Sequence, residues 1–373
     1  MEKHRFAGAL IRMLRLEKNW CQETLCKDIC AVSYLSKIEQ GRVYPNNTLL
    51  TDIFSKLGIN WCSDLRGKRR ALCEALYDSI FSGNTKAQLQ NVGALRSNWD
   101  HQSIGPEYLD FITFMAYCAH DSSSIPQQMY PLMDDRQACL IHVLRDAPEE
   151  AWRRYPCAFS AMAIGISRYS SGDYTSALDY LQRAYDLACQ QGYVHLMMTS
   201  KIYIANCYSD LQDQTAMEKH AQVAERLARI LNDTEMVQSI HYNIACTQME
   251  CNNYVDSYHY FAAVQDPSVL ELHKLAICCE KLGLQGEAIC ALDAAEKVAC
   301  GVEANMCRLV RYRLDNPGYL NDPGYGKLLM NTFDEIRKER PVGYARFHLP
   351  WIEEWCKANR QYRLVYEVLK YFS

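Results

Sequence analysis

The chain contains no apolar run approaching the ~20 residues that a membrane-spanning helix requires. Its opening, Met1-Glu2-Lys3-His4-Arg5, leads directly into an amphipathic segment, without the apolar stretch of about 7–15 residues that marks a secretory signal. These two absences set the expectation of a cytoplasmic protein with no membrane partner. There is no P-loop, no GxSxG, no HExxH and no pair of carboxylates at a plausible site, so neither an enzyme nor a cofactor is expected. CxxC is missing too, although the cysteines number 18. In a chain neither small nor secreted, they are expected to be free buried hydrophobes rather than disulfides or zinc ligands. Cys21, Cys26 and Cys30 fall at core-facing helical positions, and the adjacent Cys278 and Cys279 point in different directions on a helix. His273 has no second ligand at a suitable helical spacing, which argues against a metal site.

A chain of 373 residues, 49% hydrophobic and 23% charged, folds and holds two or more domains. The net charge of −4 conceals an asymmetry. Residues 1–70 carry 13 Lys and Arg against 7 Asp and Glu, whereas residues 71–373 carry 27 against 37. A basic head on an acidic body fits a protein of which only the head meets a polyanion.

In that head, Phe6, Leu10, Met13 and Leu14 form one apolar helical stripe over residues 5–18. Gln22 opens a short second helix that turns Leu25, Cys26 and Ile29 inward. A tight turn around Cys30-Ala31-Val32 precedes a third helix, from about Ser33 to Gln40, that buries Leu35 and Ile38 and stops at Gly41. Pro45-Asn46 restarts the chain with Asn46 as N-cap, and a fourth helix buries Leu50, Ile53, Phe54 and Leu57. The second and third helices have helix-turn-helix spacing.

The run Gln22-Glu-Thr-Leu-Cys26 followed by Asp28-Ile-Cys-Ala-Val-Ser-Tyr-Leu-Ser-Lys-Ile-Glu-Gln-Gly-Arg-Val-Tyr-Pro45 resembles the phage-repressor (XRE) helix-turn-helix. It is most similar to the branch found in peptide-sensing regulators of the PlcR/Rgg kind, the RRNPP group. The resemblance implies a phosphate-anchoring role for Gln22, whose backbone N–H lies at a helix N-terminus. It also implies a structural pair, Arg15 with Glu39. The first half of the third helix of such a motif enters the major groove. That nominates Ser33, Tyr34 and Lys37 as base readers, with Ser36 and Arg42 nearer the backbone. Ala31 and Val32 depart from the polar residues usual there and offer only contact with a thymine methyl.

Residues 64–98 read as mostly helical, with a hinge at Gly67-Lys-Arg-Arg70, and residues 106–150 as a helix pair split by the loop Asp121-Ser-Ser-Ser-Ile-Pro126. An internal repeat follows. Ile164-Gly165, Tyr174, Ala177, Leu181 and Ala184 fit the tetratricopeptide pattern. Forty residues on come Ile204-Ala205, Ala221 and Ala224, and forty further Ile244-Ala245, Tyr254, Ser257, Phe261 and Val264. The next copy holds Leu275-Ala276, Ala288, Leu292 and Ala295, and a weaker unit with Tyr362, Val365 and Leu369 ends the chain. The expected fold is all-α: a helix-turn-helix bundle over 1–66, a helical linker over 67–100, and a right-handed tetratricopeptide-like solenoid for ligand sensing and dimerisation over 101–373.

A solenoid offers a concave groove lined by the first helix of each pair. Groove-facing offsets give Met162, Ile166 and Tyr169 in the first copy, then Ile202, Asn206 and Ser209. The third copy gives Tyr242, Cys246 and Met249 with Asn243 beside them, and the fourth gives His273, Ile277 and Glu280. Ile204-Ala-Asn-Cys-Tyr208 resembles a motif of Rap and PlcR-like proteins. The resemblance implies that asparagines there hydrogen-bond the backbone of an extended peptide, since an amide both donates and accepts. The expectation is a homodimeric transcriptional regulator binding a double-stranded DNA operator under control of a short quorum-sensing peptide. The alternative is a tetratricopeptide interaction adaptor with a vestigial helix-turn-helix.

Overall fold

The computed structural model describes residues 3–61, 67–99, 103–340, 342–370 and 372. The expected boundaries at 66 and 100, and the start of the helical stretch at 64, lie outside the described residues. Helices dominate, in keeping with the all-α expectation, and among the described residues the one sheet element is a two-residue parallel bridge. No helix among the described residues is long and apolar enough to cross a membrane.

The head comprises α1 (Lys3–Glu17), α2 (Gln22–Cys26), α3 (Val32–Glu39) and α4 (Asn47–Lys56). Asn46 caps α4, its side chain accepting from the Leu49 N–H at 2.8 Å, as its small polar side chain suits it to do. α3 begins one residue earlier than expected, at Val32, because Val32 packs partly against the head core instead of sitting in the turn. Asp28 takes the left-handed conformation (φ 63°) in the connection between α2 and α3, a place an Asp tolerates better than most residues. Leu10, Ile11, Leu25, Leu35, Ile38, Leu50, Ile53 and Phe54 are fully buried. This core runs on without a break into Leu109, Ala116, Ile125, Met129 and Ile141. After the head, β1 (Asn60–Trp61) pairs with β2 (Ser103–Ile104), Asn60 opposite Ser103 and Trp61 opposite Ile104.

Between these strands lie α5 (Lys68–Phe81) and α6 (Thr85–Ser97). The stretch expected as a linker is thus a packed helix pair that buries Cys73, Leu76, Tyr77, Ile80, Val92 and Leu95. Then come α7 (Tyr108–Ala119), α8 (Asp135–Leu144), opened by the capping box of Asp134 and Gln137, and α9 (Pro148–Arg154), with Pro148 at its start. The repeats follow as α10 (Ala158–Ser170), α11 (Tyr174–Gln191), α12 (Val194–Asp210), α13 (Gln214–Ile230), α14 (Thr234–Glu250), α15 (Tyr254–Ala263), α16 (Val269–Leu282) and α17 (Gln285–Glu296). Four further helices, α18 (Gly301–Asp315), α19 (Pro323–Glu339), α20 (Val342–Ala358) and α21 (Tyr362–Leu369), complete the chain.

The chain divides into two compact units, 1–211 with 219–233, and 212–218 with 234–373. In the first, α10 packs on α11 and α12, and α11 on α12. In the second, each helix from α14 to α21 packs on the next, and α16 also on α18. Neighbour and next-neighbour packing is the signature of stacked helical pairs. The small residues act where they were expected to. Ala177, Ala184, Ala288 and Ala295 are fully buried, and a Cβ on Gly165 would come within 2.6 Å of Leu181 Cγ. The second unit also holds a pair that the repeat pattern did not contain, α18 with α19. Gly326 on α19 lets that helix approach α20, where a Cβ would meet the Trp355 ring at 2.0 Å.

Candidate functional site

On the head, α3 shows two contrasting faces. Leu35, Ile38 and Glu39 are buried, while Ser33 and Lys37, four residues apart and so on one side of the helix, are exposed. Arg42 is exposed just beyond the helix end. Gly41 permits this end: it adopts φ 66° and passes so close to α1 that a Cβ would lie 2.9 Å from Arg5 Cγ. Ser36 is half-buried and its hydroxyl accepts from Gln40 Nε2 at 3.1 Å. Tyr34, expected as a base reader, is half-buried and leans on the head core, because it stands one position from the fully buried Leu35. Ala31 at the N-cap supplies no side-chain hydrogen bond.

Beneath this surface, Arg15 Nε and Nη2 donate to the two Glu39 carboxylate oxygens at 2.7 and 2.8 Å, and Arg15 Nη1 donates to the Trp20 carbonyl at 2.6 Å. The hydrogen bonding of Arg15 to Glu39 is the main cause of a raised Arg15 pKa. Gln22 is part of the same knot. Its Nε2 donates to Glu39 at 2.8 Å, so the side-chain N–H faces the pair and only the backbone N–H stands at the start of α2.

The repeat positions fall into two sets. In the first unit, Met162, Ile166 and Tyr169 on α10 and Ile202, Asn206 and Ser209 on α12 are all half-buried, as groove walls would be. Tyr169 packs edge-on against Tyr203, centroids 5.6 Å apart, and burial with the nearby Asp210 pushes its hydroxyl pKa up.

In the second unit, Tyr242 and Cys246 are half-buried, and Asn243 is exposed. Three expected groove residues are enclosed instead: Met249 at 2% exposure, His273 at 0% and Ile277 at 2%. The offsets assume that each first helix keeps an open face, whereas here α16, α18 and α20 close on one another. His273 stacks on His348 with centroids 6.0 Å apart, and Lys274 Nζ lies 2.8 Å above the centre of the Phe347 ring. Glu280, another groove candidate, is taken by Arg313, whose Nε donates to it at 2.8 Å and whose guanidinium covers Trp351 at 3.9 Å. Desolvation depresses two basic groups of this knot, His348 to about 3 and Lys274 to about 8. Sequence reasoning missed Arg313 and His348, which lie on helices outside the recognised repeat.

Of the first three cysteines, only Cys26 is buried; Cys21 is exposed and Cys30 half-buried. Among the described residues no three His, Cys, Asp or Glu side chains could hold a metal ion together.

The fold is that of an all-α protein of stacked helical pairs with a bundle of short helices at its head. No family model matches the sequence, and no curated protein matches it either. Among solved structures, a Rap protein complexed with Competence and Sporulation Factor is similar over 99% of this chain and 97% of its own, with 16% identity and a TM-score of 0.52. That likeness shows the fold alone: the two chains share an arrangement of stacked helices. PlcR of Bacillus thuringiensis, in complex with the peptide PapR7 and DNA, aligns over 77% of this chain and 99% of its own, at 14% identity and a TM-score of 0.30.

Proposed function

We propose that the chain is a homodimeric, cytoplasmic transcriptional regulator that binds duplex DNA through its head and is controlled by a short signalling peptide held on its repeats. Residues 1–66 form the reading head and residues 101–373 the sensing and dimerisation region. The observation that carries the DNA reading is the outward side of α3. Ser33, Lys37 and Arg42 are exposed there, while the opposite side of the helix is fixed by the buried Arg15–Glu39 pair. A cation and a hydroxyl on a rigid helix, with a second cation just past its end, suit phosphates and base edges. Gln22, Tyr34 and Ser36 stand at the margins of that surface.

For the peptide, the half-buried residues of α10 and α12 support a site in the first unit, with Asn206 as its backbone-reading amide. Tyr242, Asn243 and Cys246 form a second candidate set on α14. The Rap protein whose fold the chain shares is complexed with Competence and Sporulation Factor in its own structure.

The test is titration of the full-length protein with duplex DNA at several salt concentrations, with and without Lys37→Ala. A lost phosphate contact lowers the slope of log affinity against log salt by about 1, and a lost base contact costs about 1–3 kcal/mol confined to one base pair. Absence of binding at every salt concentration overturns the regulator and leaves the interaction adaptor. One observation favours that second reading: α3 opens with Ala31, Val32 and a half-buried Tyr34, which give its first turn few polar groups.

A further inference from the structure

Helix α21 is apolar on two sides and charged on a third. Leu364, Val365 and Val368 pack on the core of the second unit. Tyr362, Tyr366 and Leu369, at steps of four and three along another side, are 65%, 61% and 39% exposed. A helix that is apolar around most of its circumference is ordinarily an interior one. Among the described residues, every other exposed large apolar side chain stands singly on its element, so this stripe is a patch and not scatter. Along the third side run Arg363, Glu367 and Lys370, all exposed. Lys370 is engaged within the helix, pairing with Glu367 at 3.6 Å and lying 4.7 Å from the centre of the Tyr366 ring. Arg363 has no ion pair among the described residues.

We propose that the exposed stripe of α21 is covered by the same stripe of a second copy of this chain, the two helices packing antiparallel about a two-fold axis beside Val365 and Tyr366. This rests on the homodimer reading above and names the surface that forms the dimer. The charges argue for a second copy. A two-fold contact is isologous: where residue i meets j, j also meets i. With the axis in that place, Arg363 of each copy stands opposite Glu367 of the other, and both pairs form at once. The arginine that lacks an acid within its own chain thus gains one.

A partner with one sign of charge fits this side less well. An acidic surface would meet Glu367, and a basic one would meet Arg363 and Lys370, whereas a reversed copy of the same sequence matches acid to base. The stripe itself supplies tyrosine, which is enriched at the centres of protein interfaces. Two tyrosines and a leucine from each copy cover on the order of several hundred Å², less than the ~800 Å² per partner of a tight dimer. The dimer is therefore expected to dissociate measurably on dilution into the micromolar range.

The experiment is sedimentation of the full-length protein over a wide concentration range. Tyr366→Lys, at an exposed site and checked for folding by circular dichroism, should leave a monomer at concentrations where the parent chain is a dimer. Arg363→Glu and Glu367→Arg should each weaken dimerisation by about tenfold, since each sets like charges opposite one another twice. The double variant should restore it. For the register, Tyr366→Cys is oxidised and digested with trypsin, and mass spectrometry should find peptide Leu364–Lys370, which holds no native cysteine, joined to a second copy of itself. A dimer that persists in Tyr366→Lys overturns the α21 contact while leaving the homodimer in place. Failure of the double charge variant to recover, or of the position-366 peptide to join itself, overturns the antiparallel pairing. A parent chain that stays monomeric at every concentration overturns the contact and the homodimer together.

Discussion

Replacing Glu39 by alanine tests whether the reading helix is held by one buried ion pair. The substitution removes both carboxylate contacts of Arg15 and the one from Gln22, at 2.7–2.8 Å, and leaves a guanidinium that is 9% exposed with the Trp20 carbonyl as its remaining acceptor in that knot. Stranding one member of a buried pair costs about 3–5 kcal/mol. Opening of the head, followed by hydrogen exchange of the α1 and α3 amides, should therefore become easier by roughly two to three and a half orders of magnitude. The double variant Arg15→Met with Glu39→Met removes both charges and refills the space, so it should recover most of the loss, because the pair itself is worth little against apolar packing. A Glu39→Ala cost below about 1 kcal/mol would place the pair among ordinary surface bridges. Strict additivity of the two single substitutions would show that the groups are not coupled. Either result refutes the argument.

Three further expectations follow from the repeats. Asn206→Ala should weaken a cognate peptide by about 1–3 kcal/mol, the cost of an unmatched peptide hydrogen bond, while leaving thermal stability in place; unchanged affinity by calorimetry removes Asn206 from the site. Gly326→Ala drives a methyl into Trp355, 2.0 Å from Cζ2, and should lower stability by about 1–3 kcal/mol in denaturant unfolding. His348, buried against Lys274 and Arg313, titrates near 3 when folded instead of 6.5, so between those values only the unfolded chain binds the proton. Its contribution to stability is complete above about pH 6.5 and declines by up to about 1.4 kcal/mol per pH unit as pH falls toward 3. A His348→Phe variant should flatten that part of the pH curve of the unfolding free energy, and His273, depressed in the same direction, should retain the remainder.

How far the chain could be read varied with the kind of signal. The Asn46 cap and the stripe of Phe6 and Leu10 depend on local chemistry and periodicity, which a sequence displays directly. Ala177, Ala288 and Gly165 were visible because close helix approach admits few residue types. The pair of α18 and α19 escaped because the loop through Asn316-Pro317-Gly318 alters the spacing. His273 and Ile277 were assigned to a groove by offset alone. An offset fixes which side of a helix a residue occupies, not whether a later helix covers it, and α18 and α20 do so here.

Phe6 and Leu10 share one apolar interior with Leu109, Met129 and Ile141, and this has a practical consequence for dissecting the protein. A fragment cut after Trp61 would present to water the side of the head that these partners cover, and it would tend to self-associate instead of reporting on DNA. Chimaeras intended to exchange specificity must carry everything through α8, grafting the partners along with the reader.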